Sequence, residues 1–214
     1  RFFLPIPQNW ENDLMVYCCQ VEKAHWSYLD DYCTDPQVTF YNINQFAGII
    51  FKYVPFLQDY ASQCDAELIR WDKFKRKLPT YGAIIFNTDM TKVLLVQSYW
   101  GKNKWGFPKG RIDYNELPHQ CAIREIWEET GFNITNMIDP NVYFESTIKG
   151  KIVRLYIIEG VSTETVFQPQ TRQEIIKVDW FDIENLPVRR CKWNFCRNLR
   201  KNANEFSMVT PFVQ

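Results

Sequence analysis

Apolar residues recur at helical spacing in the first third of the chain. Leu14, Tyr17, Val21, Tyr28 and Leu29 fall on one stripe, which predicts an amphipathic helix with Asn9 or Asn12 as its N-cap. A second helical run covers residues 43–54 and stops at Pro55, whose ring cannot continue a helix interior. A third covers about residues 66–78. None of these alternates with period two for long. Beyond Pro79 the pattern changes. Tyr81 to Phe86 is an apolar run of strand length, Asn87, Thr88 and Asp89 supply a turn, and residues 93–96 continue as the second strand of a hairpin. We therefore place a boundary at Leu78–Thr80, with a helical domain over 1–78 and a mixed domain over 79–214 joined by a short linker.

The second part mixes periods. Residues 116–130 predict a strong helix ended by Gly131. Residues 142–148 and 152–161 flank Lys149 and Gly150 and predict a long hairpin. Residues 175–181 predict one more strand. A basic helix over about 188–202 follows, and then an apolar tail from Phe206 to Val213. The fold class is α+β: a small all-helical N-terminal domain, then an α/β/α sandwich with a C-terminal basic helix.

Composition adds exclusions. The chain is formally neutral, with 46% hydrophobic and 23% charged residues, so it is neither a disordered tail, a collagen-like rod nor an acidic solvating segment. No apolar run approaches the ~18 residues of a membrane span, so no membrane is expected. No basic segment followed by an apolar one opens the chain, so no signal peptide is expected. The chain begins at Arg1 rather than Met, as a trimmed one would. Seven cysteines, an odd number with no C-x-x-C, and only two histidines make a zinc site a poor fit. Reduced thiols in the cytosol or nucleus fit better. The neutrality hides an asymmetry. From Val188 onward there are six basic residues, Arg189, Arg190, Lys192, Arg197, Arg200 and Lys201, against the single acid Glu205. Trp193 and Phe195 lie among them. That mixture suits a phosphate backbone, and a solvated helix face is its alternative.

The densest chemistry lies in the middle. Glu125, Glu128 and Glu129 stand at i, i+3 and i+4, which places three carboxylates on one helix face. Like charges there oppose the helix unless cations gather, and an all-oxygen set suits Mg²⁺ or Mn²⁺. Upstream, Gly106, Phe107, Pro108, Lys109 and Gly110 form a tight loop with a cation beside it. A solvated acidic helix is the alternative for an isolated E-x-x-E-E. The whole pattern, however, runs Gly110, Glu116, Arg124, Glu125, Ile126, Glu128, Glu129, Gly131, Phe132. It resembles the Nudix box, G-x5-E-x7-R-E-U-x-E-E-x-G-U, at every fixed position. The resemblance implies a hydrolase that cleaves a nucleoside diphosphate from another group. It makes Glu125, Glu128 and Glu129 metal ligands and Arg124 a structural partner of Glu116.

Features outside the box narrow the substrate. Trp26 and Asp30 are i, i+4 on the first predicted helix. A Trp ring stacks on a cationic purine through cation–π attraction, and a carboxylate can accept from a guanine edge. An A-H-W-x-Y-x-D helix, G-F-P-K-G, a basic stretch and an F-x-M-V-x-P-F tail together resemble the catalytic-subunit family of eukaryotic mRNA decapping enzymes across nearly the whole chain. That resemblance implies metal-dependent hydrolysis of 5′-capped mRNA to 7-methylguanosine diphosphate and 5′-monophosphate RNA. It implies cap contacts from Trp26 and Asp30, phosphate contacts from Lys109 and Arg154, and RNA contacts from the Arg189–Lys201 stretch. Glu174 matches a distal glutamate that acts as general base or further metal ligand, alongside Glu128 and Glu129 as catalytic residues. The opening residues Arg1 to Pro7 match the segment that docks a small activator subunit. Other decapping enhancers are implied partners, and cytoplasmic processing bodies the location, with the nucleus as an alternative. Ser207 departs from the family, standing where an aromatic is usual, and Glu205 puts an acid where a base is frequent. Cap and metal contacts on different domains imply a gating hinge near Leu78–Thr80. A small-molecule Nudix pyrophosphatase and a non-catalytic RNA-binding scaffold are the competing readings. The basic stretch speaks against the first and the intact carboxylates against the second.

Overall fold

A computed structural model describes residues 14–33, 35–99, 103–113, 115–170, 174–186 and 205–212. The chain divides into two compact units, residues 1–77 and 78–214. The expected caps Asn9 and Asn12, the Arg1–Pro7 segment and the whole basic stretch lie outside the described residues.

In the first unit, α1 (Leu14–Asp31), α2 (Ile43–Tyr53) and α3 (Cys64–Lys75) surround one core. The helical spacing explains it. Cys18 and Val21 of α1, Ala47 and Phe51 of α2, and Cys64 and Leu68 of α3 are all buried, with Leu57 from the 3₁₀ turn between α2 and α3. Residues i, i+3 and i+4 meet on one face of a helix, so short apolar pairs suffice to seal a three-helix core. Asn42 starts α2 with a reciprocal cap. Its side chain accepts from the Gln45 N–H, and the Gln45 side chain accepts from the Asn42 N–H, each at 3.0 Å. Such a cap is worth about 1 kcal/mol. Glu22 ties α1 to α3 by accepting from Trp71 Nε1 at 2.9 Å and from Lys75 Nζ. The 3₁₀ turn over Pro55–Gln63 replaces the loop implied between the second and third helical runs.

In the second unit, β1 (Thr80–Asn87) is the central strand. On one side it runs parallel to β6 (Lys151–Val161). On the other it meets β4 (Lys109–Arg111) at its start and β2 (Lys92–Ser98) at Phe86. The sheet is completed by β3 (Trp105–Gly106) and β7 (Ile175–Asp182) on β2, and by β5 (Tyr143–Ile148) on β6. Burial of both faces makes β1 a continuous apolar run rather than an alternating one. Ile84 faces a core with Val93, Leu95, Phe107, Leu155, Phe206 and Val209. Its neighbours Ala83 and Ile85 face the other core, with Ile126 of α4 (Pro118–Thr130), Ile134 and Ile158. The expected hairpin closes on Lys149 and Gly150, with φ of 52° and 74°.

One expectation needs adjustment. The helix predicted from Glu116 starts instead at Pro118, because proline favours the first helical position. Glu116 turns back to accept from the Asp113 N–H at 2.9 Å. Among the described residues α4 is the one α-helix of the second unit, and the basic helix expected over about 188–202 lies outside them. No described helix is long and apolar enough to cross a membrane, and the five described cysteines are free thiols.

Candidate active site

The site is built on the joint between β4 and α4. Gly82 on β1 admits the loop, since a Cβ there would lie 2.1 Å from the Pro108 carbonyl oxygen. That carbonyl accepts from the Ala83 N–H at 3.1 Å. Gly110 follows, and a Cβ on it would stand 1.9 Å from the Glu125 carboxyl carbon. Glycine is therefore the residue that lets this carboxylate lie against the loop backbone. Glu129 accepts from the Lys109 N–H at 2.9 Å, fixing the other end of the loop to the helix.

Arg124 organises the acids. Its Nε and Nη2 form a fork on Glu116 at 2.8 and 2.9 Å. Nη1 donates to Glu125 at 2.8 Å and to Glu128 at 3.0 Å, and Nη2 also donates to the Arg111 carbonyl at 3.0 Å. The Glu116–Arg124 pairing expected from the sequence is thus present, as a two-pronged bond. Burial would raise Glu116, but Arg124 and the Asp113 N–H outweigh it and hold the carboxyl below its usual range.

The three helix carboxylates behave oppositely. Burial pushes Glu125 up to about 7; Arg124 opposes this, and Glu128 and Glu174 add to it. Burial also raises Glu128, against Arg124 and together with Glu174. Glu129 is driven well above the carboxylate range by burial, with Lys109 opposing and Glu125 and Glu174 adding. Glu174, at the foot of β7, thus stands close enough for its charge to press on all three. Its carbonyl is fixed by the Tyr99 N–H at 2.8 Å.

Among the described residues no three acidic, histidine or cysteine side chains stand together as a ready-made metal cage. Like charges on one helix face separate onto the nearest donors, so Glu125 and Glu128 lie on Arg124 and Glu129 on the loop backbone. The donor set nevertheless fits a hard divalent cation. It is all oxygen, buried on two of three positions, and costly to ionise without added positive charge.

The remaining candidates are distributed. Lys109 bends its ammonium toward the Phe107 carbonyl at 3.2 Å. Arg154 on β6 bonds Glu145 at 2.9 Å and lies over the Tyr143 ring at 3.9 Å. Trp26 and Asp30 belong to the other unit, on α1, where Trp26 is 52% exposed. Ser207 is exposed in the turn after Glu205. The six cationic residues from Arg189 to Lys201 lie outside the described residues. Sequence reasoning missed Glu145 and Tyr143. The signal was available, because a two-residue turn at Lys149 and Gly150 fixes the register that sets Glu145 opposite Arg154.

Residues 76–199 match the model of the NUDIX domain. The chain belongs to the Nudix family. Residues 1–74 match the Dcp2, box A domain, so the Nudix unit here follows a helical unit with its own family signature. The chain is 36% identical over 215 residues to the mRNA decapping complex subunit 2 of Schizosaccharomyces pombe, covering 100% of this chain and 28% of that protein. It is 38% identical over 218 residues to the m7GpppN-mRNA hydrolase dcap-2 of Caenorhabditis elegans, covering 100% and 27%. The chain therefore spans about a quarter of the length of these relatives. Among solved structures, a likeness to a Caenorhabditis elegans Ap4A hydrolase has a TM-score of 0.43 at 23% identity, over 49% of this chain and 80% of that one.

Proposed function

We propose that this chain removes the 5′ cap of mRNA, hydrolysing the phosphate anhydride to 7-methylguanosine diphosphate and 5′-monophosphate RNA. One observation carries the reading: a box A match over residues 1–74 precedes a Nudix unit in which Glu125, Glu128 and Glu129 are all present, with Glu125 against Gly110, Glu129 on the Lys109 N–H and Glu128 on Arg124. Relatives matched over the full chain are named for mRNA decapping, which supports the same substrate here.

In this reading Trp26 stacks on the methylated purine and Asp30 accepts from its Watson–Crick edge. Glu125, Glu128, Glu129 and Glu174 hold Mg²⁺ or Mn²⁺, which supplies charge neutralisation and polarisation at the phosphates. Lys109 and Arg154 balance further phosphate charge. Glu129 or Glu174 accepts the proton of the attacking water, a contribution of about 10²–10⁴-fold. Arg124 keeps the acid helix and the loop in register through its fork on Glu116. The Arg189–Lys201 stretch binds the RNA body. The Arg1–Pro7 segment docks an activator subunit, other enhancers join the assembly, and the work is done in cytoplasmic processing bodies.

Release of labelled 7-methylguanosine diphosphate from capped RNA, with and without Mg²⁺, tests the proposal. Glu129→Gln should abolish release while RNA binding persists. Trp26→Ala should cut turnover of capped RNA with little change in thermal stability, since the ring is half exposed. Unchanged turnover in Trp26→Ala would remove the cap assignment. Equal turnover of dinucleoside polyphosphates lacking an RNA body would favour a small-molecule pyrophosphatase.

A further inference from the structure

A second organised polar group stands on the carboxylate side of the sheet. Gly110, Tyr81, Arg154 and Glu145 form one row across β4, β1, β6 and β5. Residues paired across strands point to the same face. The Gly110 position faces Glu125, so Arg154 and Glu145 share the face of Glu125. With strands spaced ~4.8 Å apart, the Arg154 backbone lies about 10 Å from Gly110.

Arg154 is held from two sides. Its Nε donates to Glu145 Oε2 at 2.9 Å, and its Nη2 stands 2.8 Å from the same oxygen. Its guanidinium carbon lies 3.9 Å from the Tyr143 ring centroid and 5.9 Å from that of Tyr81. Tyr143 is itself braced edge-on by the buried Tyr156 at 5.7 Å. Yet the Arg154 side chain keeps 23% of its surface open, so an anion can still reach it.

We propose that Glu145 and Tyr143 are positioning residues, which fix the Arg154 guanidinium beside the carboxylate helix before the phosphate chain arrives. This rests on the decapping reading above. A free Arg side chain must surrender rotamer freedom to meet a phosphate, and one already stacked and pinned has surrendered it on folding. Both donors share one Glu145 oxygen rather than forming a fork on two. The pairing is therefore weaker than a two-pronged one, and the guanidinium is oriented without being matched oxygen for oxygen.

The test is a double-mutant cycle on the full chain, with steady-state release of 7-methylguanosine diphosphate from capped RNA in Mg²⁺. Glu145→Gln should lower kcat/KM about tenfold, and Tyr143→Leu about two- to fivefold. In the Arg154→Ala background both should be silent, which a general structural role would not produce. The proposal is overturned if Glu145→Gln matches the unmodified chain, or costs as much without Arg154 as with it. If the unmodified chain releases no product, the decapping reading falls and takes this inference with it. The two failures are thereby read separately.

Discussion

Gly110 shows how one missing carbon shapes the site. A side chain there would occupy the space of the Glu125 carboxylate, so Gly110→Ala should evict that carboxylate from the loop. Turnover should fall by at least ~10²-fold, with a lower thermal midpoint, while far-ultraviolet circular dichroism keeps its shape. Glu125 itself predicts a pH effect. Its folded pKa is about 7 against a reference of 4.5, so the folded chain holds this proton more tightly than the unfolded one. The stabilisation is complete below 4.5 and is lost as pH rises to about 7. Glu128 and Glu129 shift in the same direction. In EDTA the thermal midpoint should therefore fall across that window. Added Mg²⁺, which binds the ionised form, should offset the fall increasingly as pH rises. A midpoint that rises with pH in EDTA would count against the buried acids. The identities of these residues were legible in the sequence, because spacing alone puts three glutamates on one helix face. Their present partners were not. Whether a carboxylate faces a metal, an arginine or a backbone N–H depends on contacts between residues as far apart as Lys109 and Glu129.

At the scale of elements, α4 and β4 behave as one piece. Arg124 joins Glu116, the Arg111 carbonyl, Glu125 and Glu128 through a single guanidinium. Lysine carries the charge but cannot form the fork. Arg124→Lys should cost about 1–3 kcal/mol of unfolding free energy in urea, and should depress activity more than the substitution of a surface arginine. The end of α4 is secured differently: the Gln168 and Gln170 N–H groups cap the Thr130 and Glu128 carbonyls, each at 2.8 Å. Most elements were visible beforehand, since the periods change at Pro79 and turn residues punctuate the second half. The parallel pairing of β1 with β6 was not, because about seventy residues separate the strands and no local pattern encodes which long-range edge a buried strand will choose. The short strands β3 and β4 were missed for another reason. Two or three residues are too few to show a period; β4 owes its extended form to its docking on β1 at Gly82, and β3 to its pairing with β2.

For the whole molecule, the two units carry separate halves of the proposed chemistry, and each holds together by its own core. In the first, Glu22 links α1 to α3 through Trp71 and Lys75. Glu22→Gln should lower the stability of that unit by about 1 kcal/mol without touching the metal-dependent rise in midpoint assigned to the second. Two separable transitions in calorimetry would display this.

The fastening at the tail of α4 also governs Glu174. Gln170 is stitched to the acid helix, the Glu174 carbonyl is latched by Tyr99, and only three residues intervene. The distal acid thus has backbone anchors at Gln170 and at its own carbonyl. An extra residue inserted between Gln170 and Glu174 would leave every carboxylate chemically present, yet offset the fourth one's anchor from those of the other three.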